Sequence, residues 1–140
     1  MADTSSRATP SALALSLLRF VAGLGFLEHG LAKLVGFPAV MPFMQMAHLP
    51  PLLVAAGWIE TVGGVLVCVG LFTRPAAFLM SGEMAIAYFM DHAPHSFFPL
   101  LNHGEAAILY CFIFLYLAAA GGGPIGLGRA VCGVRGRTLS

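Results

Sequence analysis

Four apolar stretches, residues 12–36, 52–72, 76–91 and 104–121, alternate along the chain with polar, proline-rich or glycine-rich segments. About 20 helical residues cover the hydrocarbon core of a bilayer, and the first two stretches reach that length. Pro10-Ser11 suits a helix start. The stretch FPAVMPFMQMAHLPP carries four prolines and reads as a connector with at most a short surface helix. Thr73-Arg74-Pro75 closes the second stretch, DHAPHSFFPLLNH separates the third from the fourth, and GGGPIGLG breaks the last helix.

The pattern predicts an all-α integral membrane protein, a four-transmembrane-helix bundle. Residues 1–11 form a flexible N-terminal tail, 12–123 the four-helix transmembrane domain, and 124–140 a basic tail. Arg19 interrupts the first apolar run and no small-x-small cleavage site follows it, so the run reads as a span and not as a signal peptide.

Composition agrees with this class. Of the 140 residues 59% are hydrophobic and 9% charged, against about 45–50% and about 25% in soluble domains. A net charge of +1 gives no basic field for nucleic acid. Cys68, Cys111 and Cys132 are far apart with no C-x-x-C, which excludes a dithiol centre or zinc knuckle and leaves them as small apolar side chains. Arg7, Arg74, Arg129, Arg135 and Arg137 all fall on the side shared by both termini and the second connector. The positive-inside rule places that side, and both termini, in the cytoplasm of a multi-pass protein.

The apolar stretches nevertheless carry Arg19, Glu28, His29, Lys33, Glu60, Glu83 and Glu105. Charges inside a bilayer cost about 2.5–3.5 kcal/mol each on insertion scales, so these groups are expected to face one another. Counting about 1.5 Å per residue from each span's end matches Arg19 with Glu83 in depth, Lys33 with Glu105 and His103, and Glu28 with Glu60. The expected ion pairs are therefore Arg19–Glu83 and Lys33–Glu105. The Glu28–Glu60 layer lacks a cation, and His29 is the nearest group able to share a proton there. At 100° per residue Arg19, Phe26, Gly30 and Lys33 share a face, with Glu28 opposite, and Glu28 off the polar face points to a homodimer.

His48, His92, His95 and His103 fall on the outer side, with Met41, Met44 and Met46 nearby. The set His92, His95, Met44, Met46 and His48 offers the soft and borderline donors that copper takes. Solvated connectors and interfacial filler are the competing account. A haem held between His29 and His103 is a further alternative.

The ordered motifs LLRFVAGLGFLEHGLAKLVGF, WIETVGGVLVCVGLFTRPAA and FFPLLNHGEAAILYCFIFLYLAAAGGG, from Leu13 to Gly123, resemble the DoxX family of small four-helix bacterial membrane proteins. Arg19, Gly30-x-x-Lys33, Glu60 with Gly63 and Gly64, the Gly70 to Arg74 turn and Asn102-x-Gly104-Glu105 carry the resemblance. Where family members often continue into a Ser-Leu-Asp-like ending, this chain reads Ile125-Gly126-Leu127-Gly128.

The resemblance implies a location in the bacterial cytoplasmic (inner) membrane and, for some relatives, association with quinone-linked oxidoreductases. On that basis the expected function is a redox-associated membrane subunit with a membrane or redox protein partner. Its polar pocket would be built from Arg19, Lys33, Asn102 and Glu105, with His29 and His103 at its margin. Lys33 and Asn102 would bind quinone carbonyls, and Glu60 would be the proton donor or acceptor. The alternatives are a non-enzymatic assembly or anchoring subunit whose ion pairs only hold the bundle, and soft-metal handling at the outer face.

Overall fold

The computed structural model describes residues 9–128. Most of the expected N-terminal tail, with Arg7, and most of the basic tail, with Arg129, Arg135, Arg137 and Cys132, lie outside the described residues.

The described residues are helical and contain no strand. Helix α1 is Pro10–Leu34; the Thr9 hydroxyl accepts from the Ala12 N–H and Pro10 occupies the first turn, where its missing N–H is harmless. A short α2, Met41–Met44, lies in the proline-rich connector. Helix α3, Pro51–Val69, ends at Gly70 with φ 73°, and the Gly70 and Leu71 N–H groups bond the Val67 and Leu66 carbonyls, a Schellman cap. The chain turns at once into α4, Thr73–Ala87, which continues without a break through a π-helical turn, Tyr88–His92. A short α5, Pro99–Asn102, and then α6, Glu105–Ala120, complete the order.

The four longer helices form two closely packed antiparallel pairs, α1 with α3 and α4 with α6, joined through α3 against α4. Glycine makes the first pair close. A Cβ on Gly23 would lie 3.0 Å from the Gly64 carbonyl oxygen, and one on Gly30 would lie 2.8 Å from that of Gly57. Glycines seven residues apart on each helix thus form a seam at which backbone meets backbone. In the second pair the Ser81 hydroxyl donates to the Cys111 carbonyl at 2.8 Å, and Arg74 to that of Ala119 at 2.5 Å. Met80 fills the space over Gly63 between α3 and α4. Phe26 of α1 meets Phe114 of α6 edge-on at 4.7 Å and completes a core with Ala22, Val67, Ala77, Met80 and Leu117.

Beside this apolar core the bundle also buries polar groups, and it carries many large apolar side chains on its outside. Arg19, Glu60, Asn102, Thr73, Ser81 and Ser16 are buried, while Leu17, Phe20, Val21, Phe78, Leu79, Phe112 and Leu115 are exposed. Helices α1 and α3 are long and apolar enough to cross a membrane. An apolar exterior around polar interior groups suits lipid as the surrounding medium.

Candidate functional site

Lys33 stands in the last turn of α1, and Glu60 near the middle of α3. The glycine seam sets these two helices in register, with Lys33 Cβ close against Gly57. From there the Lys33 side chain reaches along α3, and its Nζ lies 2.6 Å from both Glu60 carboxylate oxygens. The two side chains are 9% and 2% exposed, so this ion pair is a buried one. On the other side of Lys33 the ring of Phe43 from α2 lies 5.5 Å from Nζ, a cation–π contact that closes the cluster toward the first connector.

Glu83 of α4 supplies a third ionisable group. Both its carboxylate oxygens are buried without a hydrogen-bond partner among the described residues. The carboxylate lies within electrostatic range of Glu60 and Lys33, and His29 lies within range of Glu60. One ammonium therefore stands beside two buried carboxylates, Glu60 paired with it and Glu83 without a hydrogen-bond partner among the described residues.

This arrangement corrects both expected ion pairs. Glu83 does not meet Arg19, because the Arg19 guanidinium is taken up by the Val67, Cys68 and Ile125 carbonyls at the end of α3, whereas Glu83 lies within electrostatic range of Glu60 and Lys33. Lys33 does not meet Glu105, because the glycine seam draws α1 onto α3 while α1 and α6 touch only lightly. Glu105 sits exposed in the first turn of α6, where the helix dipole favours a carboxylate.

Arg19, 3% exposed, belongs to the opposite end of the bundle. It donates to the Val67 and Cys68 carbonyls at 2.5 and 2.8 Å and to the Ile125 carbonyl at 2.7 Å. It thus caps α3 and pins the segment after α6, where Gly126 and Gly128 pack on Gly70. Beside it an open groove of about 490 Å³ runs between Leu13, Leu17, Phe20, Val69 and Leu127.

Asn102 is buried and spends its groups on the turn that holds it. Its amide donates to the Ser96 carbonyl at 2.8 Å and its oxygen accepts from the Gly104 N–H at 2.7 Å. His103 occupies the left-handed region at φ 58° and is exposed. His29 is exposed, with Nδ1 2.8 Å from the Gly25 carbonyl oxygen of its own helix.

The expected pocket residues are therefore separated. Lys33 and Glu60 meet, with His29 on their flank, whereas Arg19, Asn102, Glu105 and His103 do not join them. Glu83 is the member that sequence reasoning misplaced. Glu28 faces outward, and so does not meet Glu60 as its depth suggested, while Arg19, Phe26 and Gly30 turn inward.

Among the metal candidates, His92 Nδ1 lies 3.0 Å from the Asn102 carbonyl oxygen, and His95, His48, Met44 and Met46 are exposed. Among the described residues no group of three or more His, Cys, Asp or Glu stands close enough to hold a metal ion.

The DoxX family model matches residues 14–93, from α1 through the π-helical turn, and so includes Arg19, Lys33, Glu60 and Glu83. A relative from Haemophilus influenzae, described as an uncharacterized protein, is 46% identical over 116 residues, 81% of this chain and 87% of the relative. Comparison with solved structures gave no match.

Proposed function

The chain belongs to the DoxX family of membrane proteins, and from that premise we propose that it is a four-span subunit of a quinone-linked redox system. It sits in the bacterial cytoplasmic membrane with both termini inside, and its Lys33–Glu60–Glu83 cluster holds and transfers a proton. The observation that supports this reading is the Glu83 carboxylate, buried beside the Lys33–Glu60 pair and without a hydrogen-bond partner among the described residues. An unpaired carboxylate ion in such a place costs several kcal/mol. A bundle needing only a structural pin would have no use for it, whereas a proton carrier needs a second acceptor within reach of the first.

Reduction of a quinone takes up two electrons and two protons. The electrons come from a partner oxidoreductase, since the described residues hold no thiol pair and no metal-binding cluster. The protons pass through the carboxylates. Lys33, with one N–H beyond the two directed at Glu60, is the donor offered to a quinone carbonyl, and Glu60 is the proton donor or acceptor beside it. Arg19 and Asn102 take part by holding the helix ends and the outer turn.

The test is to purify the full chain in mild detergent, extract bound small molecules and identify them by mass spectrometry, alongside quinone-linked electron transfer in membranes. A co-purifying quinone that disappears in Lys33→Met, with transfer lost in Glu60→Gln, is the expected result. Transfer that survives Glu60→Gln and Glu83→Gln unchanged would overturn the assignment.

A second reading has its own support. Arg19 and Asn102 spend their hydrogen bonds on the chain's own backbone, as a purely structural scaffold would. On that reading the protein is a non-enzymatic assembly or anchoring subunit. Replacing the buried pair by Lys33→Met with Glu60→Leu would then leave its partner complex intact.

A further inference from the structure

The Lys33–Glu60–Glu83 cluster is closed off from its surroundings. The Lys33 and Glu60 side chains are 9% and 2% exposed, and both Glu83 carboxylate oxygens are buried. The Phe43 ring lies beside the Lys33 ammonium on the side of the first connector. If the cluster carries a proton, the reading on which this inference rests, it needs an ionisable neighbour through which that proton reaches water. Such a neighbour must stand within hydrogen-bond reach or one water away.

His29 has the position for it. Glu60 lies within electrostatic range of Lys33 and His29, and Glu83 within range of Glu60 and Lys33; of these four groups His29 is the exposed one. It stands one helical turn before Lys33 on α1, and side chains four residues apart on a helix are neighbours. Glu28 is exposed too, but it lies in range of the Tyr110 phenol rather than of the cluster.

The imidazole is held in a definite state. Its Nδ1 is 2.8 Å from the Gly25 carbonyl oxygen, which can only accept, so Nδ1 carries the hydrogen and Nε2 of the neutral ring keeps a free lone pair. Tyr110 of α6 braces the ring from the side, with centroids 6.1 Å apart and planes at 73°.

Depth favours access to water. Helix α1 has 25 residues and is about 37 Å long, against roughly 30 Å of hydrocarbon. His29 lies five residues before Leu34, so in a centred helix it stands only about 4 Å inside the edge of the hydrocarbon. A histidine there packs its ring on apolar surface and keeps its polar edge in interfacial water.

We propose that His29 is the proton port of the cluster, relaying protons between water at the Leu34 end of α1 and Glu60. Nε2 takes a proton from water and the ring becomes an imidazolium. The Nε2–H bond then breaks as one bridging water passes a proton to a Glu60 oxygen, which restores the neutral ring and leaves Glu60 as a carboxylic acid beside Glu83. One proton enters and no electrons move. The water is needed because the ion pair of Glu60 is with Lys33, and His29 makes no direct contact with it.

The experiment follows quinone-linked electron transfer in membranes that hold the full chain and its partner complex, in wild type, His29→Gln, Glu60→Gln and Glu83→Gln. His29→Gln is expected to lower the rate by at least about tenfold, with co-purifying quinone and melting temperature unchanged. Imidazole added to the medium should restore most of the rate, which a side chain that only packs cannot show. Deuterium uptake at the cluster's carboxyl groups, at a pH low enough to protonate them, gives the same comparison without a partner. Infrared spectra of nanodiscs after a jump into D2O, with the band assigned by its loss in Glu83→Gln, should show slower uptake in His29→Gln. Full rate in His29→Gln while the two glutamate variants are inactive overturns the port and leaves the carrier standing. A loss of rate that imidazole does not restore, with deuterium uptake as fast as in wild type, overturns the port as well. Full rate in all three variants overturns the carrier, and the port with it.

Discussion

Lys33 Nζ lies 2.6 Å from both oxygens of Glu60, although the two residues are 27 positions apart and sit on different helices. Both side chains are almost fully buried. A buried ion pair contributes little net stability over an apolar replacement, but removing one partner leaves the other charge without compensation.

Lys33→Met alone and Glu60→Leu alone are therefore expected to destabilise the protein by about 3–5 kcal/mol. The double replacement should recover most of that loss. Thermal unfolding of the three variants in the same detergent, read as a double-mutant cycle, checks the coupling.

Glu83→Gln keeps the shape of a side chain whose oxygens have no partner among the described residues. Its melting temperature is expected to equal or exceed that of wild type, while proton-coupled quinone reduction in membranes falls. A variant with lost stability and full activity would assign Glu83 a structural role instead.

Arg19→Lys keeps the charge but loses the planar fork that reaches three carbonyls, two at the end of α3 and one at Ile125. Hydrogen bonds from a charged donor contribute about 1.5–3 kcal/mol each. The expected outcome is a loss of about 2–3 kcal/mol, with faster hydrogen exchange confined to residues 67–70 and 122–128.

Gly30→Ala and Gly64→Ala place a methyl group against backbone of the facing helix, with the nearest backbone atoms of the partner at 2.6 and 2.8 Å respectively. Both should lower the yield of folded protein and the melting temperature, because the α1–α3 seam must open. Gly82→Ala is the control: it meets nothing within 4 Å and should be neutral or slightly stabilising. Comparative melting of the three variants decides it.

The sequence by itself determined the class of the protein and much of its local structure. Long apolar runs separated by proline and glycine specify helices and their ends, since hydrophobic length and backbone permissiveness are local properties. Periodicity also fixed which side of α1 turns inward, placing Arg19, Phe26, Gly30 and Lys33 together and Glu28 outside.

Only the tertiary structure decided which charges meet. Depth along each span is a one-dimensional measure, and it matched Lys33 with Glu105 and Arg19 with Glu83. The contacts are set instead by which helices lie side by side and in what register. The seven-residue spacing of Gly23 with Gly30 and of Gly57 with Gly64 was the one sequence signal for that register. Its meaning depends on α1 and α3 facing each other, and close backbone packing between segments far apart in the chain follows from the whole bundle and not from either helix alone.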